Sequence, residues 1–89
     1  MKNQQTTNYR VQIELKEVLK ELEKLGLKEV LKGPYWLKVQ GKDPDDACFV
    51  AFKKVENTIK NKFPKNLNKD VYNTLREHMR ILKLIKLPE

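Results

Sequence analysis

Tyr9-Arg10-Val11-Gln12-Ile13-Glu14-Leu15 (residues 9–15) decides what kind of fold this chain makes, because the stretch reads two ways. With Val18, Leu22 and Leu25, residues Val11 and Leu15 recur at spacings of four and three, which stacks them on one stripe of a helix. Taken alone, Tyr9, Val11, Ile13 and Leu15 alternate with Arg10, Gln12 and Glu14, the pattern of a half-buried strand. Tyr9 and Ile13 fall opposite the helical stripe, so a helix near residues 15–25 leaves residues 9–14 free to be extended. Gly26 is placed to close that helix in a left-handed conformation, with Leu27 set for an apolar contact back to Leu22.

The same choice returns downstream. Leu27 to Lys32 can add a short helical turn and Gly33-Pro34 breaks it, after which residues 35–40, Tyr-Trp-Leu-Lys-Val-Gln, have strand-type composition. If residues 9–14 and 35–40 are both extended they can pair into a small sheet backed by helices. If neither is, the chain is an all-α three-helix bundle with an aromatic connector. Helices predominate in both cases, and the expectation is an α-rich single small domain.

The remaining helices have clearer signals. Asp43-Pro44-Asp45-Asp46 supplies a cap acceptor, a proline at the first helical position and two carboxylates at the positive end of the helix dipole. This predicts a helix over residues 44–63, with Cys48, Phe52, Val55, Ile59 and Phe63 as its stripe, Ala47 and Ala51 alongside, and Pro64 as its stop. Asn66 or Asn68 can cap a third helix over residues 69–87, with Val71, Tyr72, Leu75, Met79 and Leu82 inward. Its end is anomalous: Ile81, Leu84, Ile85 and Leu87 spread apolar groups almost all round the cylinder. Residues 1–8 are polar and aperiodic and read as a flexible N-terminal tail, with residues 9–89 as a single compact domain.

Charge is the main outward-pointing feature. From Ala47 to Glu89 there are ten Lys/Arg against four Asp/Glu, whereas residues 1–46 hold nine against eight. The net charge of +7 favours phosphate-rich or acidic partners. On helical geometry Lys53, Lys54 and Lys60 share the outer half of the second helix, with Lys62 on the other flank. Arg76, Arg80 and Lys83 form one basic strip of the third, and Lys65 and Lys69 bridge the two. Cations at such a repeat suit successive phosphates. The first helix instead interleaves Glu14, Glu17, Glu21 and Glu23 with Lys16, Lys20 and Lys24, the pattern of exposed ion pairs on a scaffold element.

Tyr35 and Trp36, beside Lys32 and Lys38, could stack bases. The simpler reading plugs Trp36 into the core and leaves Tyr35 as the better candidate for contact. The apolar facet Ile81, Leu84, Ile85 and Leu87 reads as a partner or self-association surface, with wrapping by residues 1–8 as the other way to cover it.

Chemistry is sparse. Asp43, Asp45 and Asp46 open like a calcium loop but lack its glycine and its closing glutamate, and capping accounts for them. Cys48 sits in an apolar row and His78 stands apart from it, with no serine anywhere in the chain, so no catalytic role, metal or cofactor is expected. The single cysteine forbids an intramolecular disulfide and suits a reducing cytoplasm. No stretch approaches the roughly 18 apolar residues of a membrane span.

The functional expectation is a small basic accessory protein that binds DNA or RNA mainly through phosphates, within a larger assembly or as a homodimer. It would read shape more than sequence, since no recognition-helix or RNA-binding motif is present. The alternative is an adaptor or a phage- or plasmid-type inhibitor docking on an acidic protein through the C-terminal helix.

Overall fold

The computed structural model describes residues 6–26 and 35–88. Within them the deciding stretch is extended. Strand β1 (Thr7–Glu14) buries Tyr9, Val11 and Ile13 on one face and exposes Asn8 and Arg10 on the other. Thr7 and Asn8 thus belong to the sheet and not to the flexible tail read over residues 1–8.

Leu15 takes the N-cap position of α1 (Lys16–Glu23), and the Lys16 N–H donates to Glu14 Oε1 at 3.0 Å, so the strand's last side chain serves the helix's first turn. Leu15, Val18 and Leu22 are buried. Val11 belongs to the sheet, so the apparent helical stripe is shared between two elements. Gly26 has the left-handed φ of +112° suited to its place after the helix. The expected Leu27 contact and the turn over residues 27–32 lie outside the described residues.

Strand β2 (Tyr35–Gly41) pairs antiparallel with β1, placing Tyr35, Leu37 and Val39 opposite Ile13, Val11 and Tyr9. It leads directly into α2 (Pro44–Lys60), whose start follows the sequence reading closely. Asp43 accepts the Asp46 N–H at 2.8 Å, and Asp46 Oδ2 accepts the Lys42 N–H at 2.8 Å. The buried row is Ala47, Ala51, Val55 and Ile59, with Phe52 and Phe63 packed at its margins. The small Ala47 and Ala51 let the start of the helix lie close on the sheet. It stops at Lys60, short of the expected Phe63, and a 3₁₀ turn at Lys65–Leu67 follows.

α3 (Asn68–His78) starts without a side-chain cap, Asn68 being its first residue and Leu67 its N-cap, so neither Asn66 nor Asn68 plays the capping role expected of it. Val71 and Leu75 are buried, and Tyr72 meets Phe52 edge-on with ring centroids 5.8 Å apart.

The C-terminus corrects the fold class. The helix expected over residues 69–87 ends at His78, Met79 is extended at ψ 132°, and strand β3 (Arg80–Lys86) pairs antiparallel with β1. The strand order is β2-β1-β3. This is an α+β domain, three helices against one face of a three-stranded antiparallel sheet, and neither an α-rich assembly nor a three-helix bundle. The anomaly noted above is the physical reason. A helix carrying apolar groups all round could not bury them, whereas a strand divides them between its two sides. Gln12 faces Lys83 and Ile13 faces Ile81, so Leu82 is the extra residue of a bulge. Ile81 and Leu84 pack on the core, while Leu82 and Ile85 are 48% and 42% exposed. No described helix is long and apolar enough to cross a membrane.

Candidate functional site

The pleat sends alternate side chains of β1 to opposite faces, and residues directly opposite across the ladder share a face. With Tyr9, Val11 and Ile13 turned to the helices, the outward face is fixed by register. Its rows run Gln40–Asn8, Lys38–Arg10–Ile85, Trp36–Gln12–Lys83, and Glu14–Arg80. Arg10, Lys38, Arg80 and Lys83 are exposed, Trp36 and Gln12 half-buried. Among the described residues the face therefore carries four cations against the single carboxylate of Glu14, which is already engaged by the Lys16 N–H.

Trp36 and Arg10 lie on a diagonal across the ladder. The Arg10 guanidinium carbon is 4.6 Å from the centre of the Trp36 ring, a cation–π contact that ties the two side chains together across the ladder. The assignment of Trp36 to the core is thus overturned, and with it the preference for Tyr35. Tyr35 packs against the core, where burial pushes its hydroxyl pKa up. The signal was present in the sequence: once residues 35–40 are extended, Trp36, Lys38 and Gln40 must share one face and Tyr35, Leu37 and Val39 the other.

A shallow groove of about 470 Å³ continues from this face round the β2 edge, lined by Asn8, Lys38, Gln40 and Lys54 among others. There Lys54 Nζ donates to the Lys38 carbonyl at 3.3 Å, covering one of the backbone acceptors of the edge strand.

The nine cations expected to form one surface are divided. Arg80 and Lys83 lie on the outward sheet face, because they belong to β3 and not to a helix. Lys54 reaches the groove. Lys53 and Lys60 instead converge on Glu56, which is 1% exposed on α2, at 3.1 Å from Oε1 and 2.7 Å from Oε2. Burial alone would raise the Glu56 pKa; the hydrogen bonds from Lys60 and Lys53 and their charges outweigh it and hold the carboxyl below its ordinary value. Lys62, Lys65, Lys69 and Arg76 are exposed on the 3₁₀ turn and helical layer. Of the apolar facet, Ile81 and Leu84 face inward and Ile85 outward, while the half-buried Leu87 donates its N–H to the Asn8 carbonyl at 2.9 Å.

Cys48 is half-buried, and burial followed by the nearby Asp45 carboxylate pushes its thiol pKa up, away from thiolate chemistry. Among the described residues no three His, Cys, Asp or Glu side chains gather as metal ligands. Comparison of the chain with protein-family models, with curated proteins and with solved structures found no match.

Proposed function

We propose that this protein binds nucleic acid through the outward face of its sheet, chiefly by contacts to phosphate. The carrying observation is the row-by-row register that sets Arg10, Lys38, Arg80 and Lys83 on one exposed face against a lone, engaged carboxylate. Amides at Asn8, Gln12 and Gln40 stand among those cations and add hydrogen bonds without imposing a sequence. The face recruits Lys54 through the edge groove, whereas Lys53 and Lys60 serve Glu56 and are left out. The role is one of binding, with no reaction assigned to any side chain. The one half-buried thiol suits a reducing compartment such as the cytoplasm.

A filter-binding titration against DNA and RNA at several salt concentrations tests this. Affinity should fall steeply with salt, and Lys38→Gln, Arg80→Gln and Lys83→Gln together should flatten the log–log slope by about 2, from three lost phosphate contacts. Lys65→Gln with Lys69→Gln, in the helical layer, should leave the slope nearly unchanged. A slope near zero for the native chain, or equal slopes for the two sets of variants, would overturn the proposal.

The exposed Leu82 and Ile85 on β3 favour a second reading, in which the basic edge strand accepts an acidic protein segment. In that case polar replacements at Leu82 and Ile85 abolish binding to the partner, and nucleic acid is retained no better than by any polycation.

A further inference from the structure

We infer, resting on the nucleic-acid reading of the same face, that the ligand is an unpaired strand whose bases stack on the Trp36–Arg10 pair, and not a duplex held by its phosphates alone. Charge by itself does not separate these ligands, since both present phosphates. The aromatic does. Trp36 is the chain's single tryptophan, and the core is filled without it by Ile13, Leu22, Val55 and Leu75. Its large apolar ring lies instead on a face otherwise made of cations and amides, apart from Ile85 and the carboxylate of Glu14.

Arg10 stacks on the ring at 4.6 Å, so a delocalised planar cation and an indole are held together at the middle of the face. Such a pair offers flat surfaces to any nucleobase whose own face is free. In a duplex those faces are occupied by neighbouring base pairs, and only edges and phosphates remain. An unpaired strand can lay its bases on Trp36 and Arg10 while Lys38 and Lys83, at the two ends of the adjoining rows, take phosphates. Gln12, between Trp36 and Lys83, is placed to hydrogen-bond a base edge.

Cross-strand stabilisation of the sheet is the competing explanation for the stack, and it predicts no response of Trp36 to bases. Because one indole carries all the tryptophan fluorescence, the distinction is directly readable. The full chain is titrated at low salt with oligothymidylate, oligouridylate, a strand of the same length made wholly of abasic sites, and a blunt duplex of equal total charge. Anisotropy of labelled ligand gives affinity, and Trp36 emission reports contact.

Both base-bearing strands should quench Trp36 and bind at least about tenfold tighter than the abasic strand, while the duplex leaves emission little changed. Trp36→Ala should lose about tenfold for the base-bearing strands and little for the abasic one, and Trp36→Phe should restore most of the loss. A stronger response to oligouridylate would place RNA first, and to oligothymidylate DNA; either outcome supports the inference. Equal affinity for abasic and base-bearing strands, or a duplex bound as tightly as they are, overturns it and leaves the phosphate reading standing. No binding by any of the four overturns that reading as well. The comparison of strands on the native chain holds whether or not Trp36→Ala folds.

Discussion

Gly41→Ala should cost about 3 kcal/mol of folding stability, although it adds one methyl group. Gly41 is buried at the end of β2, and a Cβ there would lie 2.7 Å from the backbone nitrogen of Ala47 and 2.9 Å from its Cα. Those atoms belong to the first turn of α2 and have little freedom to withdraw. The short connection is fastened by Asp43 and Asp46, each accepting a backbone N–H at 2.8 Å. Relief would require the helix to lift from the sheet, thinning contacts along Ala47, Ala51 and Val55. For a chain of 89 residues, whose total stability is of the order of 4–13 kcal/mol, that is a substantial fraction. Urea unfolding should show a lower midpoint at unchanged slope. The double variant Gly41→Ala, Ala47→Gly should recover little, because the two nearest clashes are with backbone. Full recovery would show that the side chain of Ala47 was the obstacle.

Removing both lysines from Glu56 should reverse the way this protein responds to acid. In the native chain the Glu56 pKa lies below its ordinary value of 4.5, so its contribution is present above that value and is lost as pH falls through the folded pKa. With Lys53→Met and Lys60→Met the hydrogen bonds and charges vanish, and the burial that already opposed ionisation is left to act alone. The carboxyl then shifts upward. Stability at neutral pH should drop by about 3 kcal/mol, most of it from Lys60, the closer and less exposed partner. As pH falls through the raised pKa, the double variant should regain part of that loss, whereas the native chain keeps its contribution until pH falls below 4.5. Thermal or urea unfolding between pH 7 and 4 checks this. Adding Glu56→Met to the double variant should remove both the loss and its pH dependence, since an apolar trio leaves no buried charge. Parallel pH profiles for native and double-variant chains would refute the account.

How much of this was legible in sequence varies by element, for physical reasons. The start of α2 was readable because capping chemistry is local: Asp43, Pro44 and Asp46 act within one turn. The strands β1 and β2 were visible only as an option, since Val11 and Leu15 satisfy a helical period with Val18 and Leu22 even though they belong to different elements. Strand β3 was concealed by its bulge. Ile81-Leu82-Lys83-Leu84-Ile85-Lys86 keeps neither a period of two nor one of 3.6, and the preceding Val71, Leu75 and Met79 invite the helix to continue.

The site suffered from that same error. Arg76, Arg80 and Lys83 align only if the helix runs on, and their regular spacing lost its meaning once the backbone became extended after Met79. The pairing of Lys53 and Lys60 with Glu56 was within reach, at three and four residues along one helix, but the burial that makes it strong depends on tertiary packing. Trp36 beside Arg10 required knowing that β2 borders β1, a fact of topology that no local pattern contains.

The place of β1 between its two neighbours sets the timetable of synthesis. It leaves the ribosome before them, yet its second partner is the last of the three strands to emerge, with all three α-helices and the whole of β2 made in between. Until β3 arrives, the nascent chain carries an uncovered hydrogen-bonding edge beside Val11 and Ile13, and the closing contacts are the most distant along the polypeptide. Completion of the sheet therefore waits for β3, and a nascent chain that has exposed every element but Arg80–Lys86 is the intermediate with an open strand edge to protect.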